Sequence, residues 1–229
     1  MDPLAEKYYS ISPYAYCGNN PVRFIDPDGR DITVYYIDEN GNEQSWIFNG
    51  SNQNEAPENK FVSDFINSYN YNIKNEGGKS MYEVANNNGI NIKLRVSKYD
   101  RNHIADGTVY WVPNMATKTK EGYVLSPAAN LEHEMSHGLS WATNLDAHRK
   151  RRSNKDIQYD NEEERRVIEG DEAKTAHANK EFPANYVRSD HAFHGYVPVL
   201  DPRQTTPAMI QIGTELKNIF SQFKNSLKK

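Results

Sequence analysis

The chain has 229 residues, 37% of them hydrophobic, with a formal charge of -4, a pI near 6.0 and a mean hydropathy of -0.89. That length can fill a globular core, and 15 Tyr, 8 Phe and 3 Trp add buriable area that mean hydropathy undercounts. The acidic balance argues against a nucleic-acid partner, no apolar run is long enough for a membrane span, and a single cysteine, Cys17, excludes an internal disulfide or a cysteine-based zinc site.

Residues 1–30 are dense in Tyr, Pro, Asn, Gly and Asp, which predicts turns and short strands. The "DPDGRD" that ends this stretch alternates acidic residues around Gly29, but it lacks the downstream glutamate of a calcium loop and reads as a turn. From Asp31 to Gly50, alternation on both sides of Asn40-Gly41 predicts a β-hairpin. Phe61, Val62, Phe65, Ile66, Tyr69 and Ile73 recur at helical spacing between Asn59 and Asn75, and a shorter helix is expected from Ser80 to Asn86. Two strands follow, "INIKLRVSKY" and "GTVYWVPN", the second stopped by Pro113. Ser126 as N-cap and Pro127 at the first helical position open a helix over 127–142. The basic run "HRKRRSNK" reads as a mobile solvated loop, a further helix is expected from near Asp160 to about Ala178, and a last one in "PAMIQIGTELKNIFSQFKNSLKK".

The 127–142 helix carries "HEMSH". His133 and His137 are four apart, so on a helix both imidazoles leave one face and can grip a single ion. Glu134 stands where a carboxylate reaches a metal-activated water without itself being a ligand. Leu131, Met135 and Leu139 form an apolar stripe on a different side of the helix. The expected chemistry is zinc hydrolysis, with His133 and His137 as ligands and Glu134 as general base. Ser140 and Thr143 replace the glycine and third histidine of the H-x-x-G-x-x-H continuation, so the third ligand is not a histidine of the same motif.

A glutamate from the following helix can supply it. Glu162, Glu163 and Glu164 all compete, and periodicity does not choose among them. The set "HEMSH" followed by "EERRVIEG" resembles the H-E-x-x-H and downstream E-E-x-R of clostridial neurotoxin light chains and NleD-like effector metallopeptidases. Laid on Glu163, Glu164 and Arg166, the resemblance implies Glu163 as zinc ligand, with Glu164 and Arg166 behind it. It also implies an Arg and a Tyr downstream to steady the developing oxyanion. "FPANYVRSDHAFHGY" offers Tyr186, Arg188, His191 and His194 without the family's R-x-x-Y spacing, and Tyr186 and Arg188 are preferred. His177 is a weaker rival for the metal, expected as a surface histidine. "GTVYWVPN" is the candidate edge strand for a bound substrate.

The N-terminal segment, residues about 10–31, resembles the end of the RHS-repeat-associated core at Tyr14, Tyr16, Asn19, Asn20, Pro21, Asp26, Pro27 and Gly29. That family places a variable toxin domain after a shell-forming core, which implies a core-like tail over 1–30 and a toxin domain over 31–229. Arg30 stands where the shell usually carries the Leu at its self-cleavage point. The expectation is therefore an α+β, zincin-like (gluzincin) zinc endopeptidase. It would be secreted or delivered to a target cell without its own signal peptide, act on a protein or peptide, and be matched by an immunity protein and the shell of its parent polypeptide. The rivals are a catalytically silent zinc-binding module and an RHS-derived adhesion domain.

Overall fold

The computed structural model describes residues 30–86, 89–99, 101–209 and 212–213. The core-like segment 1–29 and most of the expected C-terminal helix lie outside them.

The fold is mixed α+β. β1 (Arg30–Ile37) and β2 (Glu43–Phe48) form the expected hairpin, and Asp38 shapes its turn by accepting from the amides of Asn40 and Asn42, each at 2.9 Å. β3 (Ile90–Val96), β4 (His103–Ala105) and β5 (Thr108–Trp111) complete a five-stranded sheet of order β2-β1-β3-β5-β4. Its three central strands are parallel and both outer strands antiparallel to their neighbours.

Period-two alternation turns Ile32, Val34, Ile92, Leu94, Val109 and Trp111 to one face. Three helices cover it: α1 (Lys60–Lys74), α2 (Lys79–Asn86) and α3 (Pro127–Thr143). Asn59 caps α1 by accepting from the Phe61 and Val62 amides, and Phe65 and Tyr69 meet Phe48 edge-to-face at 5.1 and 4.7 Å. Ser126 caps α3 through the Ala129 amide, and Trp111 Nε1 donates to the Pro127 carbonyl at 2.8 Å, fixing the start of α3 on β5. Further along α3, a Cβ on Gly138 would stand 2.8 Å from Ile92 Cδ1, so glycine permits this close approach of helix to sheet.

The strand expected in "GTVYWVPN" is β5, but it is not the edge. β4 pairs with its outer side through an Asp106-Gly107 turn with φ of 47° and 69°, a reversal hidden in a short polar stretch. The basic run is not a loop either. It folds as α4 (Leu145–Ser153), capped by Asn144 on the Ala147 amide, because His148 and Arg151, three apart, both find partners on one buried side.

β6 (Met115–Lys118), β7 (Val124–Leu125) and β10 (Tyr196–Pro198) form an antiparallel sheet of order β10-β6-β7. β8 (Lys155–Asp156) and β9 (Asp160–Asn161) make a short hairpin that leads into α5 (Glu162–Val167). A π-helical turn (Ile168–Glu172) and α6 (Ala173–Ala178) continue α5, so the expected 160–178 helix is one element with a widened middle. Among the described residues no helix is long and apolar enough to cross a membrane.

Glu181 is buried against the start of α3, accepting from Ser126 N at 2.8 Å and Ser126 Oγ at 2.6 Å, and burial pushes its carboxyl up to about 7 from 4.5. Between these values the folded chain holds a proton that the unfolded chain has released, so stability falls as pH rises through the window. Glu181→Gln is expected to remove up to ~3 kcal/mol of the difference in unfolding free energy between pH 5 and pH 8. Urea denaturation of both proteins at the two pH values checks this; equal differences would refute it.

Candidate metal centre

α3 lies between the main sheet and the C-terminal elements, so both of its sides are covered. Leu131 and Met135 enter the sheet core, while His133 and His137 face α5 and are themselves buried. Immediately before His133, Glu132 accepts from the Ser80 and Met81 amides at 2.6 and 3.1 Å and anchors the start of α2.

His133 Nε2 and His137 Nε2 are 3.2 Å apart, with rings near perpendicular at 77°. Glu164 Oε2 completes a triangle with them, 3.3 Å from His133 Nε2 and 3.0 Å from His137 Nε2. Asn161 sets this up by accepting from the Glu163 and Glu164 amides, which starts α5 with Glu164 turned to α3. A wider group of His133, Glu164 and His191 has one ligand atom from each within 4.8 Å of the others, and it could hold a metal ion.

The expectation of Glu163 at the triangle is corrected. Its carboxylate lies on the far side of the histidines, with Oε1 3.3 Å from His137 Nδ1 and 2.6 Å from Arg166 Nη2, and with Oε2 on Arg151 Nε. Arg166 also reaches Ser136 Oγ and the Ser136 carbonyl, tying α5 to α3. Glu164, expected behind the ligands, is the glutamate whose carboxylate meets the two Nε2 atoms. One signal for this was present in the sequence: of the three glutamates, only Glu164 lacks an arginine three or four residues ahead. An arginine on the same helix face competes with a cation for the carboxylate oxygens.

The π turn brings a further carboxylate round. Glu172 Oε2 accepts from His133 Nδ1 at 2.7 Å and from Arg188 Nη2 at 2.9 Å. Both helix histidines thus spend Nδ1 on a carboxylate, which leaves the Nε2 lone pairs directed at the triangle. Sequence reasoning missed Glu172, because its place depends on the extra residue in the turn.

Burial opposes ionisation of Glu164, but the His137 charge and bonds from both histidines hold its carboxyl far below the usual carboxylate range. In turn, against the penalty of burial, Glu164, Glu172 and Glu134 raise His133 to about 10. A site that pulls a proton this strongly onto an imidazole is electrostatically suited to a cation. Glu134 is buried, and among the described residues no hydrogen bond ends on its carboxylate. Burial pushes its carboxyl up, the two histidines oppose that, and Glu164 adds to it.

Neither preferred oxyanion donor is at the triangle. The Tyr186 hydroxyl donates to Glu121 Oε2 at 2.6 Å, and its ring packs on Phe182 and Tyr123. Arg188 is buried against Glu172, one residue removed from the triangle. His177 donates to the Tyr186 carbonyl and His194 pairs with Asp190, so neither joins the centre. The residue of that segment that does arrive is His191, with Nε2 3.5 Å from Glu164 Oε2 and its ring parallel to that of His133 at 6.2 Å.

Compared with protein-family models, curated proteins and solved structures, the chain gives no match.

Proposed function

We propose that the chain is a zinc endopeptidase of the glutamate-ligand zincin class, with His133, His137 and Glu164 holding the metal and Glu134 as general base. The observation that carries this reading is the convergence of two imidazole nitrogens and one carboxylate oxygen beside a buried carboxylate that, among the described residues, no hydrogen bond occupies. Ligand atoms about 2.0–2.2 Å from a tetrahedral zinc stand roughly 3.3–3.5 Å from one another. The triangle's longest side, 3.3 Å, reaches that spacing and the others, 3.2 and 3.0 Å, fall a few tenths of an ångström short, so a small outward shift of the three groups would admit the ion. Two nitrogens and one oxygen favour zinc over calcium or magnesium, which prefer all-oxygen sites.

When bound, zinc supplies a Lewis acid for the scissile carbonyl and makes a water acidic enough to lose its proton near neutral pH. Glu134 takes that proton as the water oxygen bonds to the carbonyl carbon, then hands it to the amide nitrogen as the C–N bond breaks. Its raised affinity for a proton suits both steps. Glu163 and Glu172 keep His137 and His133 in the tautomer and orientation that ligation needs. β4 ends the sheet beside α3, and His103 on it is close enough to act electrostatically on Glu134, so a substrate strand added to β4 would pass the general base.

The resemblance of residues about 10–31 to an RHS core tail supports the wider reading of a delivered toxin that cleaves a target-cell protein, guarded in its producer by an immunity protein. The test is hydrolysis of a proteome-derived peptide library, abolished in Glu134→Gln. Glu172→Gln, which keeps the shape but weakens the hold on His133, is expected to lower zinc affinity about tenfold to a hundredfold. Competition with a chromophoric chelator measures this; an unchanged affinity would count against the arrangement.

A further inference from the structure

The three histidines around Glu164 are arranged alike. Each directs Nε2 at Glu164 Oε2, at 3.3 Å for His133, 3.0 Å for His137 and 3.5 Å for His191. Each also sets Nδ1 against a carboxylate: Glu172 at 2.7 Å, Glu163 at 3.3 Å and Asp160 at 2.6 Å. A carboxylate behind the imidazole is the usual setting of a metal-ligating histidine, since it fixes the tautomer and raises the basicity of the other nitrogen. His191 therefore has what its two neighbours have, although it comes from a different part of the chain.

The backbone that carries it is held in place. His191 N donates to the Gln158 carbonyl at 3.2 Å, Tyr159 Oη donates to the Arg188 carbonyl at 3.0 Å, and Gln158 Nε2 donates to the Ser189 carbonyl. These bonds fasten residues 188–191 to the β8–β9 hairpin, the same hairpin that leads into Glu164. Asp160, at the hairpin's end, takes φ of 67°, a conformation unusual for a non-glycine residue, and in it presents its carboxylate to His191. Fold and ligand set are coupled through one short turn.

What differs is exposure. The His133 and His137 side chains are 9% and 3% exposed and that of His191 is 32%, while its supporting Asp160 is 70% exposed. Of the three, His191 is the one whose ring can leave by side-chain rotation into solvent.

Resting on the metal site proposed above, we infer that His191 is a fourth protein ligand that closes the resting metal site and must be displaced before a substrate carbonyl can enter. The exchange breaks the His191 Nε2 bond to the metal and forms one from the incoming oxygen, with no change in oxidation state. The expected resting chain is a closed, tightly held site, opened by substrate on the exposed side.

The test compares the 229-residue chain with its His191→Ala and His191→Gln variants, each loaded with Zn2+ or Co2+. His191→Ala is expected to bind zinc about tenfold to a hundredfold more weakly. The d–d absorption of its cobalt form should shift, and acetohydroxamate, which needs an open position, should bind it at least about tenfold more tightly than wild type. His191→Gln, closer in size, should behave the same way, and equal thermal unfolding of the metal-free proteins keeps the comparison free of misfolding. Wild type and variants with the same zinc affinity, cobalt spectrum and acetohydroxamate affinity would overturn the inference while leaving the three-ligand site standing. A wild type that binds neither metal would overturn the proposed function with it.

Discussion

Glu134→Gln is expected to bind zinc within about tenfold of wild type and to lose peptide hydrolysis by roughly 10²- to 10⁴-fold. Glutamine matches glutamate in shape, and the Glu134 carboxylate has no hydrogen bond among the described residues, so the exchange breaks none of them and removes only its charge. What it removes is a buried carboxylate beside the histidines that is neither at the triangle nor bonded to an imidazole Nδ1, and whose protonated form burial favours. The loss corresponds to about 3–5 kcal/mol of transition-state stabilisation, which is the scale of a positioned base. The measurement pairs cleavage of a peptide library, read by mass spectrometry, with zinc content. Hydrolysis within tenfold of wild type would remove Glu134 from the mechanism.

The second large effect separates two adjacent glutamates. Glu164→Ala is expected to weaken zinc binding by about 10²- to 10³-fold, one ligand's share of the roughly 10–16 kcal/mol that structural zinc sites supply. In the metal-free chain it also removes the carboxylate shared by His133, His137 and His191, but these imidazoles can shed a proton and stay buried as neutral rings, so the stability lost should be smaller than at Glu163, whose arginine partners cannot. Glu163→Ala should shift the balance of losses toward stability and away from zinc. It strands Arg151, Arg166 and the Nδ1 of His137, which now share its carboxylate, and costs stability even without metal. Removing one partner of a fully buried pair costs about 3–5 kcal/mol, and these arginines, 26% and 33% exposed, put the loss below that range. Its effect on zinc should be only about tenfold to a hundredfold. Chelator competition and urea denaturation of the two variants distinguish them; a Glu163→Ala protein that is stable but binds no zinc would restore Glu163 as the ligand.

The elements most legible in the sequence were those whose signals are local. Ser126-Pro127 marked the start of α3, Asn40-Gly41 the first hairpin, and the spacing from Phe61 to Ile73 marked α1. β4 was not legible, since three residues pairing outside β5 carry no periodicity. α4 was misread because its charge run hides two side chains, His148 and Arg151, that are held by α3 and α5. At the metal centre, the spacing of His133, Glu134 and His137 can be read because a helix turns sequence distance into position. The third carboxylate depends on which way α5 faces, and that is set by the Asn161 cap and the Glu163–Arg166 pairing together. Glu172 and His191 depend on a π turn and on a strap sewn to a hairpin, which no single-sequence pattern encodes. The resemblance to neurotoxin-like enzymes points to α5 but to Glu163, the residue before the one that meets the histidines, and to Tyr186 and Arg188, whereas His191 is the residue of that segment that reaches Glu164.

The most direct test of the central claim is the metal content of the 229-residue chain, purified without chelator and measured by mass spectrometry before and after zinc is added back. The account predicts close to one zinc per chain, retained through gel filtration. A chain that holds no zinc even after reconstitution would contradict it, and the convergence of His133, His137 and Glu164 would then be an ionic cluster and not a catalytic centre.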